Sequence, residues 1–395
     1  MELKVLATRG AVRKAAPVMG MLIGLLGGLL GSAAHAATID TEARQAILMD
    51  ADTGTVLFAK NADQHMPTSS MSKVMTMYMV FDRLKNGKLS LEDTLPVSRR
   101  AWDLGGAKTE GSTMYLPLGA NVKVEDLIRG VLVQSGNDAT IVLAEGLGGT
   151  EEAFCRNMTK RAHDMGMNDS NFTNAAGLPD ANHYSSAHDL AVLAIHTIHD
   201  FPEYYHYFSE LEFTYNKIKQ GNRNPLLYRN MGVDGLKTGH TEAGGYGLIA
   251  SAKRGDRRLV LVMNGLTSMQ SRADEPARVL EWGFHEFDDY ALFKAGETVD
   301  TLPVSLGTAD SVPVTIAKEL KITLTNEQRR GMKVAVESNL PLAAPVAKGA
   351  VVATLRITAP DLQTVEIPLE AAADVPRKGL FGRMGAGLHR MLFGS

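Results

Sequence analysis

The chain has 395 residues, 45% of them hydrophobic and 22% charged, which is enough for two or three domains and at least one large core. A net charge of −3 leaves no electrostatic footprint for nucleic acid as a partner. A single cysteine, Cys155, excludes an internal disulfide framework, so apolar packing alone must hold the fold.

Residues 1–36 are expected to be a signal peptide. Lys4, Arg9, Arg13 and Lys14 make a basic start, an apolar run extends from Ala15 to Leu30, and Ala34-His35-Ala36 puts small residues at both positions of a cleavage site. A permanent anchor is the alternative, but the run is short for a membrane span. Removal takes away four bases and one acid, leaving a mature charge of −6.

Residues 37–290 form the expected catalytic domain, with interleaved strand and helix patterns. Ala46–Ala59 gives two strands joined at Asp52-Thr53-Gly54. Helical patterns follow at Ser70–Leu84, Val124–Leu132 and Asp138–Leu147. Cys155 lies in a helical pattern marked by Phe154, Met158 and Ala162, which predicts a buried structural thiol. Gly235–Thr238, Gly247–Ala252 and Leu259–Asn264 have strand character, the last two joined at Arg254-Gly255-Asp256, and Asp274–Phe284 closes the region as a helix. Strands from both ends of the segment with helices between them predict an α+β fold with a mixed sheet.

Residues 291–375 alternate differently. Val314–Ile316, Lys321–Thr325, Lys333–Val336, Val351–Ile357 and Thr364–Leu369 are short strands between polar turns, predicting a small all-β sandwich without catalytic residues. In residues 376–395, Arg377, Lys378, Arg383 and Arg390 accompany Leu380, Phe381, Met384, Leu388, Met391 and Leu392 on one helical face. That pattern predicts an amphipathic helix lying on a membrane surface, with five glycines weakening its helix propensity.

Three motifs in the middle of the chain carry chemistry: Ser70-Met71-Ser72-Lys73, Ser135-Gly136-Asn137 and Lys237-Thr238-Gly239. A serine hydroxyl is a weak nucleophile until a base takes its proton, and positions i and i+3 of a helix share a face, so Lys73 can reach Ser70. Burial or a neighbouring cation such as Lys237 would bring the amine into its working range. Each motif alone is weak, and Ser70 by itself would pass for a helix cap. Their order, past a signal sequence and a strand pair, is what gives them weight. The strand bounded by Gly235 and Gly239 is expected where a backbone passes close to a ligand. No Gly-x-Ser-x-Gly elbow supports a Ser-His-Asp reading of His183, His188 and Asp189. With no His-Glu-x-x-His and one cysteine, neither a metal nor a cofactor is expected.

This trio is shared by penicillin-binding proteins and class A β-lactamases. With Gly232–Tyr246, Val133–Ala139 and Asn174–Asp180, the chain resembles the low-molecular-mass penicillin-binding proteins that are D-alanyl-D-alanine carboxypeptidases. The resemblance implies that Ser70 attacks the carbonyl between the last two D-alanines of a peptidoglycan stem peptide and that Lys73 accepts its proton. It implies that Ser135 relays a proton to the leaving amine and that Asn137 orients the substrate backbone. Lys237, Thr238 and Gly239 would hold the terminal carboxylate, with Arg223 and Arg272 nearby, and the backbone of His240 would join that of Ser70 in an oxyanion hole. It further implies covalent inhibition by β-lactams and a place at the periplasmic face of the inner membrane. Alternatives are a D,D-endopeptidase, a serine β-lactamase, or an idle envelope scaffold. Against the β-lactamase, no glutamate occurs between Glu152 and Glu203 to serve deacylation. Against the scaffold, a binding module has no need of a nucleophile paired with an amine.

Overall fold

Gln-Ala-Ile-Leu-Met-Asp at residues 45–50 is buried at every position, as a strand covered on both faces must be. In this computed structural model, which describes residues 39–379, it is the second strand of a five-stranded antiparallel sheet. The strands are β1 (Gln45–Asp50), β2 (Val56–Lys60), β3 (Val233–Thr241), β4 (Gly245–Arg254) and β5 (Arg257–Leu266), in spatial order β2-β1-β5-β4-β3. Register follows the period of two along each strand. Ile47 opposes Val262, which opposes Ile249, and these side chains join one core; Leu48 and Leu261 point to the other face.

The first core holds helices α1 (Lys73–Lys85), α2 (Asn137–Gly148) and α3 (Ala187–Asp200). The opposite face is covered by α4 (Met269–Glu286), where a Cβ on Gly283 would lie 2.5 Å from Leu48. These elements make up one compact unit, Ile39–His285. The hairpin turns fall at Gly54 (φ 70°) and Gly255 (φ 59°), where left-handed backbone favours glycine. Cys155 is 3% exposed and burial pushes its thiol up to about 12, so it is an inert core residue.

A second unit begins at Glu286. It contains a six-stranded sheet and a strand pair formed by Phe287–Phe293 and Leu320–Thr325, around its own valine- and leucine-rich core. Its one described helix, Asn326–Gly331, starts from a capping box between Thr325 and Gln328.

Three sequence expectations change. The sheet of the first unit, expected to be mixed, is antiparallel throughout, because its neighbours β1/β2, β3/β4 and β4/β5 are joined as hairpins and β1 runs against β5. The helix expected from Ser70 opens as a 3₁₀ turn over Ser69–Ser72, and regular α geometry starts only at Lys73. The glycines of β3 make room for protein on their Cβ side, while the Gly239 backbone also lines the cleft. A Cβ on Gly235 would meet the Tyr205 hydroxyl at 2.6 Å, and one on Gly239 would meet Thr68 O at 2.9 Å. The signal peptide lies outside the described residues, as does the amphipathic helix beyond Gly379. Just before it, Arg377 pairs with Gly307 and the Lys378 N–H donates to Leu306 O. Among the described residues no helix is long and apolar enough to cross a membrane.

Candidate active site

Three segments distant in sequence meet around a cleft of about 450 Å³: the Ser69–Ser72 turn, the start of α2, and β3. In a 3₁₀ turn residues i and i+3 eclipse one another. Lys73 Nζ accordingly sits 2.9 Å from Ser70 Oγ. The turn is wedged into place by two close approaches. Gly239 of β3 lies against Thr68 and Ser69, and Gly177 (φ 77°) lies against the Ser69 carbonyl, which a Cβ there would meet at 1.8 Å.

Lys73 is fully buried. Besides Ser70, its Nζ donates to Asn137 Oδ1 at 2.8 Å and to Ala176 O at 2.7 Å. Burial, then the nearby Arg223 guanidinium, lowers its pKa to about 7, against a smaller opposing pull from Asp138. The geometry serves both protonation states of the amine. Three oxygens around one nitrogen match the three N–H groups of an ammonium; once the proton is lost, the two remaining N–H groups can stay on Asn137 and Ala176 and the lone pair can turn to the Ser70 hydroxyl.

The partners of Lys73 are themselves held. Asn137 begins α2, and its backbone N–H donates to Ser112 O. The next residue, Asp138, is buried and accepts hydrogen bonds from Thr113 Oγ1 and from the backbone N–H groups of Met114, Leu116 and Ala139, which clamps the 112–116 loop onto the helix. The Ala176 carbonyl is aimed by its neighbour: the Ala175 N–H donates to buried Glu151, and Thr76 Oγ1 donates to Ala175 O. Asn174 closes the loop through two hydrogen bonds with the backbone of Leu178.

Ser135 lines the cleft, 2% exposed, with left-handed backbone (φ 60°). Such a conformation is uncommon for serine and is tolerated where surroundings enforce it. Lys237 is 2% exposed, its Nζ donating to Thr238 O at 3.2 Å. Burial, together with Lys73, Arg223 and Arg272, holds its pKa well below the ordinary lysine value. Arg223 donates to Ser112 Oγ at 2.7 Å. Arg272 lies over the Tyr246 ring, and its buried Nε has no hydrogen-bond partner among the described residues. Both arginines line the cleft, as do Thr238, Gly239 and His240, whose ring stacks on Tyr246 at 4.0 Å. Two guanidinium groups and two buried amines thus converge on a cleft whose lining includes one carboxylate, Glu110. Such a site favours an anionic substrate.

The structure brings together every residue singled out by the three motifs and both arginines. Sequence reasoning missed Ala176, Asp138, Glu151 and Thr76. Of the set-aside histidines, His183 does meet a serine, but it is Ser72, at 2.7 Å. Its other ring nitrogen accepts from the Thr173 N–H, and burial lowers its pKa to about 4.

A buried amine hydrogen-bonded to a serine at the mouth of a cationic cleft defines a serine acyl-transfer enzyme on a mixed helix-and-sheet domain. Comparison with known proteins narrows the class. The D-alanyl-D-alanine carboxypeptidase family matches residues 31–267, and the C-terminal domain of penicillin-binding protein 5 matches residues 287–377. The D-alanyl-D-alanine carboxypeptidase DacA of Haemophilus influenzae is 38% identical over 86% of this chain and 86% of its own. The crystal structure of penicillin-binding protein 5 from H. influenzae superposes with a TM-score of 0.79 at 37% identity, covering 87% of this chain and 100% of that one. Penicillin-binding protein D2 of Listeria monocytogenes in its cefotaxime-bound form has a TM-score of 0.57 at 29% identity, covering 62% and 99%. The chain belongs to the D-alanyl-D-alanine carboxypeptidase family. It is a serine-type carboxypeptidase with a penicillin-binding-protein catalytic domain and a C-terminal all-β domain.

Proposed function

We propose that this carboxypeptidase removes the terminal D-alanine of peptidoglycan stem pentapeptides through an ester on Ser70. The observation that carries the reading is the Lys73 geometry: a fully buried amine 2.9 Å from Ser70 Oγ, held in place by Asn137 Oδ1 and Ala176 O. Ser70 Oγ attacks the carbonyl carbon between the two D-alanines as its proton passes to Lys73 Nζ. The oxyanion is held by the backbone N–H groups of Ser70 and His240; one such donor is typically worth ~3 kcal/mol of barrier. The C–N bond then breaks, and the proton reaches the leaving amine by way of Ser135. Asn137 Nδ2 orients the acyl side of the substrate. Lys237, Thr238, Gly239, Arg223 and Arg272 receive the terminal carboxylate, an anion that offsets the positive charge gathered there by the arginines. Water hydrolyses the ester, with Lys73 again as the base.

A β-lactam presents the same carboxylate and a strained amide to this site and forms a longer-lived ester. The cefotaxime-bound relative supports that extension. The enzyme works on the periplasmic side of the inner membrane after export, attached to the membrane surface through residues 380–395. The test is product analysis. Given a pentapeptide, a cross-linked peptide dimer and a penicillin, the enzyme should release D-alanine from the first far faster than it turns over the others. Faster cleavage of the dimer would make it an endopeptidase.

A further inference from the structure

Among the buried titratable groups, His183 takes no part in the chemistry at Ser70. It is 5% exposed, and its ring meets the Phe172 ring edge-on, with centroids 5.6 Å apart. It stands at one end of a loop, residues 172–183, whose base is closed by the backbone pairing of Asn171 with Tyr184. That loop makes two contacts with the nucleophile region: the Ala176 carbonyl on Lys73, and Gly177 against the Ser69 carbonyl.

Both ring nitrogens are engaged, and their partners assign the proton. The Thr173 N–H donates to Nδ1 at 3.2 Å, so Nδ1 carries the lone pair and Nε2 the hydrogen. Nε2 then donates to Ser72 Oγ at 2.7 Å. The Ser72 hydroxyl, having accepted that bond, donates to Thr68 Oγ1. Burial keeps the ring neutral down to about pH 4, so this tautomer persists throughout the range in which Lys73 titrates. The bonds therefore run from the start of the loop to both ends of the turn that carries Ser70. Thr68 precedes that turn, and Ser72 closes it next to Lys73. An imidazole suits the task because its two nitrogens sit at a fixed separation on a rigid ring.

We infer that His183 is a positioning residue for acylation: its imidazole sets the spacing between the loop that bears the Ala176 carbonyl and the turn that bears Ser70 and Lys73. A shift between the two would draw the carbonyl off Lys73 Nζ and free the amine to swing away from Ser70 Oγ, 2.9 Å distant. A side chain of similar size with neither donor nor acceptor would fill the space and leave both links open. Lys237, Arg223 and Arg272 lie outside this chain of bonds, so binding of the carboxylate does not depend on it. The inference rests on the Proposed function, in which Ser70 is the nucleophile and Lys73 its base.

The test resolves acylation of the full chain by benzylpenicillin into a binding constant and a first-order acylation constant. His183→Leu should lower the first-order constant on the order of 10- to 100-fold and leave the binding constant unchanged. His183→Gln should stay near the wild type, since its amide N–H can reach Ser72 and its carbonyl can accept from Thr173. Ser72→Ala should slow the same step, and adding His183→Leu to it should cause no further loss. Should the leucine variant fail to fold, Ser72→Ala and His183→Gln decide the matter. A leucine or alanine variant acylated at the wild-type rate, a glutamine variant as slow as the leucine one, or losses that add in the double variant would overturn the positioning role and leave the carboxypeptidase reading intact. A folded wild-type chain that benzylpenicillin does not acylate would overturn that reading as well.

Discussion

Acylation should follow the titration of Lys73. Only the neutral amine can take the Ser70 proton, and burial with the Arg223 charge brings its pKa to about 7. With that midpoint, about one-eleventh of the enzyme is competent at pH 6 and nearly all of it at pH 9, so the second-order acylation constant should rise about tenfold between them. The assay is stopped-flow acylation by a chromogenic cephalosporin, whose reactive amide does not titrate in this range. Arg223→Ala offers an internal check. Arg223 is the larger of the two charge effects on Lys73 and lowers its pKa. Its removal should move the midpoint upward, beyond any loss of affinity for the carboxylate. A flat profile from pH 6 to 9, or a midpoint near the ordinary lysine value in the wild type, would refute the claim that Lys73 is the base.

The remaining predictions follow from the same residues. Because Lys73 has a folded pKa of about 7 against an ordinary 10.5, the unfolded chain binds more protons between those values. Lys73 should therefore make stability rise with pH across that window, and Lys73→Met should remove this component of the slope in urea titrations. Gly177→Ala puts a Cβ at φ 77°, 1.8 Å from Ser69 O. A cost of about 3 kcal/mol or more should lower Tm by roughly 6–12 °C, and acylation should slow on the order of 100-fold because the displaced backbone carries the nucleophile. Truncation after Gly379, which keeps the backbone pairing of Arg377 and Lys378, should leave D-alanine release from soluble peptide unchanged and abolish flotation with anionic lipid vesicles.

Much of this architecture could be seen in the sequence because it is local. Val124–Leu132 carries a clear helical period, and the Asp52-Thr53-Gly54 and Arg254-Gly255-Asp256 turns announce hairpins that the sheet contains. Helix α3 was harder. Leu190–Ile195 is an unbroken apolar run, which periodicity alone cannot divide between helix and strand. The site splits the same way. Hydroxyl and amine at i and i+3 leave a sequence signature, whereas the Ala176 carbonyl that orients Lys73 leaves none, since any residue could supply it. Glu151 and Thr76, which aim that carbonyl, act across 24 and 99 positions, and nothing in the linear sequence separates them from side chains that face water. The glycines of β3 were legible as points of close approach, but the neighbours could not be read: Tyr205 comes up to Gly235 and the nucleophile turn to Gly239. A one-dimensional pattern records that space is needed without recording what fills it.

The central claim is that Ser70 forms the covalent intermediate. Intact-mass spectrometry after brief incubation with benzylpenicillin tests it most directly. The wild-type chain should gain the mass of one penicilloyl group, mapped to the peptide containing Ser70, and Ser70→Ala should gain nothing. An adduct of the same mass on the Ser70→Ala chain, formed at a comparable rate, would contradict the account.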